Sequence, residues 1–194
     1  MLPTIVGPTS KLIELARQTL SLEGDYWECG VYNGGSASMI HDAIPSDRKL
    51  VLFDSFEGLP QETEHDNFHK KGDFNDVDFE RVKEYFSTRS NVTIVKGFVP
   101  ETFSGFTDSK ICFLHLDLDL YEGYKYTLEF VWPRLVNGGI IVLDDYNAST
   151  CAGARKATDE FVELHGLTVI DNYYIIKTPK SPADWRVSLP TIQM

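Results

Sequence analysis

The sequence predicts a doubly wound α/β domain, with a mainly parallel, seven-stranded sheet whose last strand is antiparallel. Three observations point there. Strand-like and helix-like periodicities alternate along the 194 residues. The first strand-like runs are almost continuously apolar, as strands covered on both faces are. The last two runs are joined too tightly to enclose a crossover helix, so they should pair antiparallel.

Taken in order, Leu12, Ile13, Ala16 and Leu20 recur at helical spacing behind Thr9 and Ser10, either of which can cap the helix start. Residues 25–31 form the first strand and run into Gly34 and Gly35. A short helix over 37–43 leads to a second strand at 49–55. Residues 57–84 differ, being rich in acids and poor in aliphatics, with His65 and His69 among them. Their first part, to about 78, reads as a lid loop, and from Asp78 a helix runs to about Phe86. Strands follow at 91–97, 111–118 and 139–146. The last two of these flank a helix marked by Tyr124, Leu128, Val131, Trp132 and Leu135, interrupted at Pro133 and closed by Asn137-Gly138-Gly139. A helix over 152–164 stops at Gly166, and short strands at 167–171 and 173–178 complete the sheet.

The chain is 42% hydrophobic and 24% charged, which makes it globular rather than disordered. Its size supports a single domain without disulfides or structural metal. With 18 basic against 29 acidic residues the net charge is −11, which excludes nucleic acid and anionic membranes as partners. No aliphatic run is longer than Ile140–Leu143, far short of a membrane span, and no secretory pattern opens the chain. Cys29, Cys112 and Cys151 cannot all pair and lack metal-type spacing, so a reduced, cytoplasmic protein is expected.

In a sheet of this kind ligands bind outside the carboxyl ends of the strands, and three residue groups fall there. Glu28-Cys29-Gly30-Val31-Tyr32-Asn33-Gly34-Gly35-Ser36 joins the first strand to its helix. Its glycines permit a sharp turn and close approach to a ligand. Tyr32 breaks the spacing of a dinucleotide loop, so a nicotinamide-dependent oxidoreductase is the weaker reading. The G-x-x-x-G spacing behind an acid suits a nucleoside ligand with a cationic amino-acid end, and a plain glycine turn is the bland alternative. Asp54 ends the second strand, where a carboxylate can accept both hydroxyls of a ribose or simply cap a turn. Asp117 and Asp119 close the fourth strand, and Asp144 and Asp145 the fifth. Such convergent carboxylates repel unless they are protonated, paired with Lys125, Arg134 or Arg155, or bound to a hard divalent cation such as Mg²⁺. His115 shares a strand face with Asp117 and Asp119 and reads as packed. His65 and His69 could reach the site as bases from the lid, and His165 suits a helix C-terminus.

Several strings together resemble the macrocin O-methyltransferase family. They are Gly24-Asp25-Tyr26-Trp27-Glu28-Cys29-Gly30-Val31-Tyr32-Asn33-Gly34-Gly35-Ser36, Phe53-Asp54-Ser55-Phe56-Glu57-Gly58-Leu59-Pro60 and Lys96-Gly97-Phe98-Val99-Pro100-Glu101-Thr102. Leu116-Asp117-Leu118-Asp119-Leu120-Tyr121-Glu122, Gly138-Gly139 and Asp144-Asp145-Tyr146 complete the series. The resemblance implies a Rossmann-like, S-adenosylmethionine-dependent O-methyltransferase that acts on a small-molecule hydroxyl, a sugar or another diol, and assembles as a homodimer. It implies a cofactor site of Glu28, Gly30, Asn33, Gly34, Gly35, Ser36, Asp54, Ser55 and Phe98. It also implies Mg²⁺, or a similar divalent cation, on Asp117, Asp144 and Asp145, with Asp117 a candidate base. A non-catalytic cofactor-binding protein on the same fold is the remaining alternative.

Overall fold

A computed structural model of the chain describes residues 9–179. The first helix, α1 (Thr9–Gln18), buries Leu12, Leu15 and Ala16. It is followed by β1 (Asp25–Cys29), α2 (Gly35–Ala43), β2 (Leu50–Asp54), α3 (Phe79–Phe86) and β3 (Val92–Lys96). A 3₁₀ turn at Glu101–Phe106 leads to β4 (Ile111–Leu116), α4 (Tyr121–Val131) and β5 (Leu135–Leu143). A second 3₁₀ turn, Asp144–Asn147, opens on α5 (Ala152–His165), and β6 (Tyr174–Ile176) ends the sheet.

The strand order is β3-β2-β1-β4-β5-β6, with the first five parallel and β6 antiparallel to β5. Consecutive connections therefore run outward from β1 to β3, then return to β4 beside β1. This reversal opens a crevice at the carboxyl ends of β1 and β4, the place where such sheets take ligands. Strand alternation divides the interior into two cores. Trp27, Val51, Phe53, Leu114 and Leu116 face α4 and α5, whereas Tyr26, Leu50, Leu52 and Phe113 face α1, α2 and α3. Cys29, Cys112 and Cys151 are all buried and unpaired. Among the described residues no helix is long and apolar enough to cross a membrane.

Local chemistry accounts for the boundaries. Asp78 caps α3 by accepting from the Arg81 amide. α5 ends where Gly166 turns left-handed at φ 63°, and the Leu167 amide then closes on Val162 O at 2.8 Å. α4 ends at its C-cap, Trp132, which keeps helical dihedrals and donates to Leu128 O, because Pro133 has no N–H with which to continue the ladder.

Two expectations need correction. The sheet has six strands, not seven, among the described residues. Residues 167–171 contribute only a single bridge, Ile170 to Tyr174, across a turn in which Asp171 and Asn172 are both left-handed. A three-residue β6 offers too little free edge to extend that pairing. Asn137-Gly138-Gly139 does not close a helix but lies within β5. There the register against β4 jumps from Ile111–Leu135 to Phe113–Ile140, and Gly138 takes φ 83° in the bulge.

Candidate active site

One cavity of about 1160 Å³ occupies the crevice. Gly30, Asn33, Gly35, Ser36, Asp54, Ser55 and Phe98 line one part of it, and Asp117, Asp119, Asp144 and Asp145 another. Of the residues expected at the site, Glu28 and Gly34 are absent from this lining. Such a volume exceeds what one drug-sized ligand usually fills, leaving room for two reactants.

The loop after β1 is shaped from behind. Gly30 has φ 90°, and a Cβ there would lie 1.6 Å from the Asp117 carbonyl oxygen. Its glycine is demanded by the neighbouring strand end, whatever the ligand. Gly34 takes φ 81° at the start of α2, against the Phe86 ring. Asp54 holds the same loop: Oδ2 accepts the Val31 and Tyr32 amides at 2.7 and 2.8 Å, and Oδ1 accepts the Phe56 amide at 2.6 Å. A carboxylate has about four lone-pair sites, so acceptor capacity remains toward the cavity.

The aspartates converge as expected, with Asp119 more central than the resemblance implied. Ligand oxygens of Asp117, Asp119 and Asp145 lie within 4.8 Å of one another, and Asp117 and Asp144 group with a His115 nitrogen within the same distance. Asp145 Oδ2 accepts the Asp119 amide at 2.9 Å, while Tyr124 Oη accepts the Asp145 amide and donates to Leu116 O. The cations that could have neutralised the cluster are engaged elsewhere. Arg134 donates to Thr107 O and Phe130 O, Arg155 lies over Tyr146, and Lys125 over Tyr121. Burial first, then Asp145 and Asp144, pushes Asp117 well above the usual carboxylate range. Burial and Asp145 push Asp119 up to about 7, and burial raises Asp145.

By sequence alone His115 is a packed strand residue, and the family resemblance assigns Glu28 to the cofactor. The structure joins them. Register places Glu28 directly opposite His115, and Nδ1 lies 2.8 Å from Glu28 Oε1. His115 Nε2 is 3.4 Å from Asp144 Oδ1, so a buried carboxylate–imidazole pair backs one of the cluster's acids. Burial alone would lower the His115 pKa, but hydrogen bonds to Asp144 and Glu28 outweigh it and hold the ring well above its ordinary value. Strand pairing was the missing information, because 87 residues separate the partners.

Residues 57–78 lack regular structure before Asp78 but are fastened to the sheet's helices. Asp66 Oδ1 accepts the Tyr121 amide that opens α4, and Asn67 Oδ1 accepts the Ala152 amide that opens α5. Neither helix has a cap of its own from its preceding residue. Gly153 leaves the space that Asp66 fills, since a Cβ there would lie 1.9 Å from its Oδ1. His69 Nε2 reaches Asp119 Oδ1 at 3.5 Å, whereas the His65 ring packs on Tyr121. His165 packs between Trp132 and Phe161.

These ionisations carry a stability signature. Asp117, Asp119 and Asp145 retain protons in the folded chain that an unfolded chain releases near pH 4, and His115 retains one above pH 6.5. The folded state thus binds more protons, and stability falls as pH rises from about 4 through 7. In chelator, the melting temperature should be higher at pH 5.5 than at pH 8 by at least about 3 °C. A melting temperature that rises with pH over this window would contradict the assignment.

The glycine loop, Asp54 and the aspartate pairs all lie within residues 11–175, and that stretch matches the family model described as macrocin O-methyltransferase. The chain belongs to the macrocin O-methyltransferase family. Among its relatives, the tetracenomycin 4'-O-methyltransferase of Streptomyces olivaceus that acts on an 8-demethyl-8-(2,3-dimethoxy-α-L-rhamnosyl) form is 29% identical over 160 residues, 75% of this chain and 60% of its own. Mycinamicin III 3''-O-methyltransferase of Micromonospora griseorubida is 27% identical over 162 residues, 75% of this chain and 63% of its own. The chain thus spans about three fifths of the length of the curated relatives it matches. Of solved structures, the O-methyltransferase NovP superposes with a TM-score of 0.73 at 25% identity, covering 88% of this chain and 79% of NovP. The calicheamicin methyltransferase CalS11 shares the fold, with a TM-score of 0.74 at 24% identity over 87% of this chain and 77% of its own. Membership of the macrocin O-methyltransferase family accounts for the order of the motifs along the sheet.

Proposed function

We propose that this chain is an S-adenosylmethionine-dependent O-methyltransferase acting on a hydroxyl of a small molecule, a sugar or another vicinal diol, with a divalent cation such as Mg²⁺. The observation that carries this reading is the shared cavity. Its glycine loop and Asp54 suit a nucleoside, and its carboxylate cluster suits proton transfer, so donor and acceptor can meet in one room. Gly30, Asn33, Gly35 and Ser36 would line the methionine side, and Asp54, Ser55 and Phe98 the nucleoside side.

The residues present fit a hard cation. Ligand oxygens of Asp117, Asp119 and Asp145 lie within 4.8 Å of one another, Asp144 groups with Asp117 and a His115 nitrogen, and no side-chain ammonium or guanidinium among the described residues pairs with Asp117, Asp144 or Asp145. Those three would hold it, with His115 steering Asp144 from behind. When bound, the cation would polarise the acceptor hydroxyl and favour loss of its proton. When bound, S-adenosylmethionine would supply the methyl group as an electrophilic sulfonium, its methionine side held by the loop after β1.

Asp119 is the better base than Asp117. It is partly accessible at 14% side-chain exposure, its amide is held by Asp145, and its acidity lies near neutrality. Asp117 stands in both carboxylate groupings, which suits a ligand. The acidic segment over the cavity disfavours anionic acceptors.

Labelled S-adenosylmethionine offered with a panel of glycosides, sugars and catechols should yield a methylated diol. Asp54→Ala should weaken S-adenosylhomocysteine binding by about tenfold or more in calorimetry, since a charge-assisted bond contributes roughly 1.5–3 kcal/mol. It should also lower the melting temperature, because three amides lose their acceptor. Unchanged affinity beside a lowered melting temperature would confine Asp54 to the loop.

A further inference from the structure

Cys151 has no part in the function proposed above, yet it closes the cavity floor beside two carboxylates. Its Sγ lies 3.5 Å from Asp119 Oδ1 and 3.6 Å from Asp145 Oδ1. His69 approaches the same Asp119 oxygen from the overlying segment, with Nε2 at 3.5 Å. One ligand atom from each of His69, Asp119 and Cys151 lies within 4.8 Å of the other two.

We propose that His69, Asp119 and Cys151 form a binding site for a borderline-soft divalent cation, Zn²⁺, separate in chemistry from the all-carboxylate cluster beside it. The donor set is nitrogen, oxygen and sulfur, and imidazole with thiolate selects zinc over magnesium. Tetrahedral zinc, with bonds of about 2.0–2.3 Å, places neighbouring ligand atoms about 3.3–3.6 Å apart. Two of the three separations here are 3.5 Å. A second observation concerns the far side of the imidazole. His69 Nδ1 lies 3.4 Å from Asp73 Oδ2, and that oxygen also accepts the Lys70 amide at 3.0 Å. A histidine that binds metal characteristically donates its other N–H to a carboxylate in this way, which fixes the tautomer and aims Nε2 at the ion. Asp119 and Cys151 both line the cavity, so a fourth position is left for water or a ligand atom.

Binding releases the Cys151 thiol proton to solvent and joins three parts of the chain. These are the 57–78 segment through His69, the turn between β4 and α4 through Asp119, and the start of α5 through Cys151. Capture of Asp119 also stops methyl transfer. That consequence rests on the function proposed above, whereas the site itself does not.

The test is optical. Co²⁺ is titrated into metal-stripped protein with Mg²⁺ held in excess to occupy the carboxylate cluster. Intense visible bands of tetrahedral Co²⁺ and a near-ultraviolet thiolate-to-cobalt charge-transfer band are expected, both abolished by added Zn²⁺. Cys151→Ser should remove the charge-transfer band, and His69→Gln should weaken Co²⁺ binding by at least about tenfold, since loss of a supporting partner alone costs that much. Asp144→Asn, outside the site, should leave the spectrum intact. Weak octahedral bands without charge transfer, or a spectrum unaltered by Cys151→Ser, would overturn the proposal. The expected spectra together with full turnover in Zn²⁺ would support the site and overturn Asp119 as the base.

Discussion

Replacing Asp119 with Asn is expected to lower kcat by about 10²–10⁴-fold, the usual contribution of a positioned proton acceptor, with little change in KM for donor or acceptor. The amide matches the carboxylate in shape, and the Asp119 backbone N–H still donates to Asp145. What disappears is the group able to take the acceptor's proton. The wild-type rate should rise with pH along an acid limb at or below about 7, because a bound cation opposes the repulsion that raises Asp119. In Asp119→Asn that limb should vanish. Asp117→Asn should behave differently: it should raise the Mg²⁺ concentration needed for half-maximal rate, and excess Mg²⁺ should restore part of the loss. Full kcat in Asp119→Asn, or a loss cured by Mg²⁺, would move the base elsewhere, with His69 next to test because it touches the same oxygen.

The second large effect concerns folding. Gly30→Ala should cost more than about 4 kcal/mol or prevent folding altogether, a range reserved for specific steric faults. The added Cβ would lie 1.6 Å from the Asp117 carbonyl oxygen and 2.6 Å from its carbon, both backbone atoms. β1 and β4 cannot move apart to admit it, because the Asp117 amide donates to Cys29 O at 2.9 Å between two central strands. Gly166→Ala is the matched control. Gly166 also has positive φ, at 63°, but nothing lies within 4 Å of its built Cβ. It should lose only about 1–2 kcal/mol, the cost of left-handed backbone for an L-residue. Denaturant unfolding of the two variants separates crowding from backbone strain. Equal losses would mean that the close approach of Asp117 does not decide the residue at position 30.

The relay behind Asp144 and the anchoring of the 57–78 segment share one lesson. Glu28 and His115 are each unremarkable alone, and only the parallel register makes them face one another. Asp66 and Asn67 look like solvated loop residues, yet successive side chains cap α4 and α5. Few aliphatics in that stretch leave these fastenings out of sight, because burial is the only fastening that composition can reveal. Hydrogen bonds to helix ends leave no hydropathy signal.

The sequence by itself determined the alternation of strand and helix, a mainly parallel sheet covered on both faces, and the placement of the glycine loop, Asp54 and the aspartates Asp117, Asp119, Asp144 and Asp145 at the carboxyl ends of its strands. All of these follow from local periodicity and from the rule that loops after parallel strands meet at one edge of the sheet. Only the tertiary structure decided what each polar group does within the crevice between β1 and β4. Asp54 holds the loop after β1, Gly30 yields space to a neighbouring strand, and Asp119 stands between His69 and Cys151. Period and spacing place a residue along its own strand or helix. Hydrogen bonds and charge coupling act over about 3–5 Å between segments far apart in sequence, so they exist only once the sheet has brought those segments together.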